Sequence, residues 1–118
     1  MSDPQPEQQQ VMAVHDVNIA ILKSMPPQIV VSAIGTVSTG GWSEPQLVPY
    51  IYVKPPEDGI QDYDFVATPP SGYAIQVLLP VFGSYGPEEY PDWMVGARVH
   101  SASGAVETLF SDSREVAL

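Results

Sequence analysis

The chain contains no cysteine. Disulfides, thiolate metal centres and cysteine nucleophiles are therefore excluded, and packing alone must hold the fold together. Basic residues are scarce: Lys23, Lys54, Arg98 and Arg114 face 14 acids, for a net charge of -10. Nucleic-acid binding depends on neutralising phosphates with Lys and Arg, and four scattered bases make no such patch. The same negative field disfavours anionic membrane surfaces and favours cations or a basic partner. Long apolar runs are missing too: none approaches the roughly 18 residues of a membrane helix, so no membrane insertion is expected. The first ten residues, with two prolines and four glutamines, lack the basic flank and hydrophobic stretch of a secretory signal. The expected compartment is cytoplasmic, or secreted or periplasmic if a signal has been removed.

What is present is enough for one core. The 118 residues are 44% apolar, which suits a single globular domain. Residues 1–10 are expected to form a flexible tail, and 11–118 a single β-sandwich. Thirteen prolines, spread along the chain, argue against long helices after Pro26. The segment Val11–Met25 fits two periods. As a helix it aligns Val11, Val14, Asn18, Ile21, Leu22 and Met25; as a strand over 14–24 it aligns Val11, Ala13, His15, Val17, Ile19 and Ile21. The longer alternation and the β-branched content favour the strand. Further strands are expected at Gln28–Val37, Leu47–Val53, Ile60–Ala67, Tyr73–Phe82, Trp93–Ser101 and Ala105–Phe110, separated by Pro/Gly turns. Gly83–Asp92 reads as loop, and Ser111–Leu118 as a fraying end. About seven short antiparallel strands with this spacing indicate an all-β, immunoglobulin-like β-sandwich without the paired cysteines. Its expected core is Val31, Ala33, Ile51, Phe65, Ile75, Val77, Leu79, Val95, Ala97 and Val99.

Candidate chemistry is sparse. Asp58, Asp62 and Asp64 are the best candidate cation ligands, because Ca²⁺ takes six to eight oxygens and Asp62 and Asp64 share a strand face about 7 Å apart. The spacing is not that of an EF-hand. If Tyr63 and Phe65 face the core, both carboxylates face water, and Asn should replace either within about 0.5 kcal/mol. Only two histidines exist, His15 and His100, each with an acid within reach: Asp16 beside the first, Glu107 across a hairpin from the second. No serine lies in a nucleophile elbow and no glycine-rich turn leads into Lys-Ser/Thr. Trp42 and the longest loop, with Tyr85, Glu88, Glu89 and Tyr90, form the candidate binding surface, since tyrosines offer rigid area with a polar tip.

These features favour a non-catalytic binding or accessory module that recognises a protein or peptide through loops or a sheet edge, with no cofactor. Two readings compete with it. One is a small hydrolase or metal-dependent enzyme using His15 or His100 with a carboxylate. The other is a Ca²⁺-stiffened adhesion-type domain, which needs the three aspartates to converge.

Overall fold

A computed structural model describes residues 8–112 and 114–116. It is all-β. Among the described residues, nine strands form two sheets: β1 (Gln9–Gln10), β2 (Ala13–Leu22), β3 (Gln28–Thr39), β4 (Ser43–Pro49), β5 (Ile60–Thr68), β6 (Gln76–Glu89), β7 (Gly96–Ser101), β8 (Gly104–Leu109) and β9 (Arg114–Val116). One short 3-10 turn, Phe110–Asp112, separates the last two. The helical alternative for Val11–Met25 is set aside, because β2 is a strand throughout. The first sheet is centred on β5. Val66 pairs with both Gln10 and Gln46, and Asp64 with both Val48 and His100. So β4 lies along one edge of β5, β1 and β7 share the other end to end, and β8 follows β7. The second sheet runs β6-β3-β2-β9. Two pairings, β5 with β7 and β2 with β9, are parallel, which corrects the expectation of a wholly antiparallel arrangement.

The core lies between the sheets. Strand β3 alternates without a break, burying Ile29, Val31, Ala33, Gly35 and Val37. Strand β5 answers with Tyr63, Phe65 and Ala67, and β7 with Ala97 and Val99. In β2 the register slips between Val14 and Asp16. One extra residue reverses the facing of the chain, so Val14 and Val17 are both buried and His15 points to water.

Five of the expected core residues are not in the core: Ile51, Ile75, Val77, Leu79 and Val95 are exposed. The reasons differ. Strand β6 is the edge of its sheet, so the alternation of Ile75, Val77 and Leu79 has too little above it to cover it. A turn at Asp92–Trp93 puts Met94 inside in place of Val95. Strand β4 begins and ends earlier than expected, and Ile51 lies past its end. The ends of the chain also differ from expectation. Gln9–Gln10 pair with Ala67 and Val66 instead of forming a tail, and residues 114–116 pair with β2. The part of the tail expectation covering residues 1–7 falls outside the described residues. The expected loop Gly83–Asp92 is mostly strand, continuing β6 to Glu89.

Candidate functional site

On the outer face of the β5 sheet, the register sets Glu107, Arg98 and Asp62 side by side on β8, β7 and β5. Opposite charges at directly paired positions attract. The Arg98 guanidinium donates to Asp62 Oδ1 at 2.9 Å, to Glu107 Oε1 at 2.8 Å and to Asp58 Oδ2 at 3.0 Å. His100 Nε2 lies 2.8 Å from the same Asp62 Oδ1. Asp58 belongs to the turn before β5. Its Oδ1 accepts from the Ile60 N–H, and Gly59 supplies the positive φ of 70° that this Asp-Gly turn requires.

Two tyrosines from the segment after β4 close over this face. Tyr52 donates to Asp62 Oδ2 at 2.6 Å, and its hydroxyl accepts from the Asp62 N–H at 2.8 Å. Tyr50 donates to Asp64 Oδ1 at 3.0 Å and stacks on the His100 ring, centroids 5.3 Å apart. The Tyr50 carbonyl is taken by Gln61 Nε2. Side chains thus occupy the groups that a longer β4 would bond. The ladder stops, and Ile51 and Val53, alternating with the two tyrosines, point into water.

The electrostatics follow from these contacts. Burial pushes the Asp62 carboxyl up, but hydrogen bonds from Tyr52, His100 and Arg98 outweigh it and hold the group below the ordinary carboxylate value. The Ile60 amide and Arg98 hold Asp58 low as well. Arg98 is pushed up by Asp58, Glu107 and Asp62. The Tyr52 hydroxyl is pushed up to about 12, by burial first and then by its bond to Asp62. Asp62→Asn should bring Tyr52 ionisation part of the way back toward 10.0, read as alkaline difference absorbance. An unchanged curve would mean that the hydroxyl does not sense the carboxylate.

The three candidate metal ligands do not converge on a cation. Arg98 occupies the space between Asp58 and Asp62, while Asp64 is held separately by Tyr50 and Gln10. Among the described residues, no group of three or more His, Asp and Glu side chains is arranged to hold a metal ion. His100 does meet a carboxylate, Asp62 and not Glu107, but the hydroxyls in this network are two tyrosines pushed above their ordinary value. His15 meets Thr36 and makes no bond to Asp16. Both oxygens of Asp62 are engaged. The carboxylates of this face are therefore held by Arg98, His100 and the two tyrosines.

Of the candidate binding residues, Tyr85, Glu88, Glu89 and Tyr90 line one narrow cleft of about 110 Å³ with Tyr63 at its base. Tyr85 packs on Tyr63 and Tyr90 on Phe110, so both rings also serve the core. Trp42 is elsewhere, half-buried, its Nε1 donating to Thr39.

Sequence reasoning missed the second outer face. No charged residue and no histidine lies between Thr68 and Pro87, or between Ser24 and Ser43. These two runs pair as β6 and β3, except for Glu88 and Glu89 at the end of β6. Along them Tyr73 is fully exposed, and Ile75, Leu78 and Phe82 are 79%, 67% and 63% exposed. A groove of about 390 Å³ lies beside Phe82, lined by Asn18, Ser32, Ile34, Pro45 and Ser84. The missing charges were legible in the sequence. The exposure was not, because alternation does not say whether a strand lies at an edge.

Together these features define an all-β two-sheet domain with one saturated polar face and one uncharged apolar flank. No family model, curated protein or solved structure matches the chain. No helix among the described residues is long and apolar enough to cross a membrane.

Proposed function

We propose that the protein is a non-catalytic binding domain that engages a protein partner through the β3–β6 flank. One observation carries this reading: a chain of net charge -10 keeps two paired strands almost free of charge and leaves their large apolar side chains in water. Exposed apolar surface is costly in a monomer, and contiguous patches beyond a few hundred Å² mark interaction sites. The polar face supports the reading by its saturation. Among the described residues, no buried side-chain nitrogen or oxygen lacks a hydrogen-bond partner, so the buried polar groups of this face are spent on the fold itself.

The test is site-specific photo-crosslinking in the source cells, with a photoreactive phenylalanine at Leu78 and, as control, at Ala105 on the opposite sheet. Position 78 should give protein adducts that position 105 does not. Equal yields at the two positions would remove the assignment.

A further inference from the structure

We infer that the cleft between the end of β6 and β5 is a binding site for an alkylammonium cation, the head group that a lysine side chain carries. This site is separate from the β3–β6 flank and does not depend on the reading given to it.

An irregularity in the ladder builds the cleft. Val31 pairs with Tyr85 and Ile29 with Glu88, two steps along β3 against three along β6. The added residue reverses the facing of the chain. Glu88 therefore shares the inner side of the sheet with Tyr85, opposite buried Ile29, where simple alternation would turn it away. Gly86 lies in this bulge with φ 114°, and a side chain there would run into the Ile29 carbonyl.

Tyr63 forms the base of the cleft and is only 2% exposed. Its ring packs on Tyr85, but its hydroxyl makes no hydrogen bond to any described residue. A buried tyrosine hydroxyl normally finds a partner, as those of Tyr50 and Tyr52 do. No side-chain oxygen among the described residues is both sealed and unpaired. The Tyr63 hydroxyl is therefore accessible, and it is the cleft that this residue lines.

The other lining groups select the ligand. Gln61 spends its amide nitrogen on the Tyr50 and Asp62 carbonyls, which leaves its oxygen as an acceptor. Glu88 carries no ion pair among the described residues, unlike Asp58, Asp62 and Glu107. Hydroxyl, amide oxygen and carboxylate match in number the three donors of an ammonium group. No Lys, Arg or His lines the cleft to attract an anion. The tyrosine rings favour a cation, and Ile29, Pro49 and Met94 suit its methylenes. A metal ion fits less well, since no group of three His, Asp and Glu side chains is arranged for one among the described residues. The volume of about 110 Å³ corresponds to about four water-sized groups, an ammonium and its first methylenes. The net charge of -10 draws cations toward the protein.

Amide chemical shifts of the ¹⁵N-labelled full chain, titrated with n-butylammonium chloride at low salt, test this. The Gln61, Tyr85, Glu88 and Met94 amides should shift and saturate with a Kd on the order of 1–10 mM. Added salt should weaken binding. Glu88→Gln should weaken it about threefold, as the loss of an exposed charge pair does. Tyr63→Phe should weaken it about fivefold, the loss of one hydrogen bond, and leave the urea midpoint unchanged, because the hydroxyl has no partner in the fold. If Tyr63→Phe does lose stability, the hydroxyl serves the fold, and the exposed change Glu88→Gln decides alone. A capped Gly-Lys-Gly peptide that binds more tightly than n-butylammonium assigns the cation to a protein's lysine; equal binding assigns it to a free amine, and either upholds the site. An equal response to 1-butanol overturns it, since the cleft would then be an apolar crevice. So does the absence of shifts at these amides up to about 50 mM, or an affinity that Glu88→Gln leaves unchanged. These amides report on the cleft and the crosslink at Leu78 on the flank, so either reading can fail without the other.

Discussion

Phe65→Ala should lower the stability of the fold by about 3–5 kcal/mol, the usual cost of deleting a buried phenyl ring. Phe65 has no exposed surface and sits near the middle of β5. Its ring reaches across the sandwich to the backbone of the opposite sheet. A methyl group built on Gly83 of β6 would come 2.8 Å from the ring, and one on Gly35 of β3 would come 3.0 Å from it. Two glycines on neighbouring strands thus form the recess that the ring fills. Strands β3 and β5 are held by ladders on both sides, so the backbone there cannot collapse into the vacancy, which places the loss at the upper end of the range. A domain of this size has about 5–15 kcal/mol in hand, so the variant should be close to unfolding on mild heating. Urea denaturation with a preserved slope measures the loss; a change below about 1 kcal/mol would show that the ring does not fill the recess. Gly83→Ala should destabilise the wild type by overpacking and do so less in a Phe65→Leu background. That non-additivity is the signature of direct contact.

This recess also shows what the sequence could and could not disclose. Tyr63, Phe65, Val31, Ala33, Ala97 and Val99 were legible as core because each lies on a central strand, where period-two alternation and burial coincide. Gly35 and Gly83 carry no such signal; a glycine in a strand says that something approaches closely but not what. Ile75, Val77 and Leu79 alternate as cleanly as β3 does, yet β6 is an edge, and edge position comes from pairing between distant segments. The bulge in β2 reversed the facing of His15 and Val14 by one residue. The polar face was half legible. Asp58, Asp62 and Asp64 stood out as a cluster, but the ligand that organises two of them is Arg98, 36 residues beyond Asp62. Only the parallel pairing of β5 with β7 brings it alongside.

Asp62 is therefore expected to resist substitution, contrary to a reading of its strand face as simply solvated. Its side chain is only 14% exposed and accepts from Arg98, Tyr52 and His100. Asp62→Ala should cost about 2–3 kcal/mol, since charge-assisted hydrogen bonds contribute more than neutral ones and their former donors are left partly desolvated. The cost stays well below that of three separate bonds. Arg98 keeps Asp58 and Glu107, and Tyr52 keeps the Asp62 N–H. Asp64, at the rim with only Tyr50 and Gln10 as partners, should lose less than about 1 kcal/mol on the same change. The pH dependence separates charge from packing. The folded state holds Asp62 below its unfolded value. Its contribution is therefore fully present above the unfolded pKa of about 3.9 and is lost as pH falls through the lower folded value. The stability gap between wild type and Asp62→Asn should be present above about pH 5 and close progressively below about pH 4. Urea melts across that range give the gap directly. If it stayed the same down to the lowest pH at which the protein folds, Asp62 would be acting through shape and neutral hydrogen bonding, and the ionic account of this face would fail.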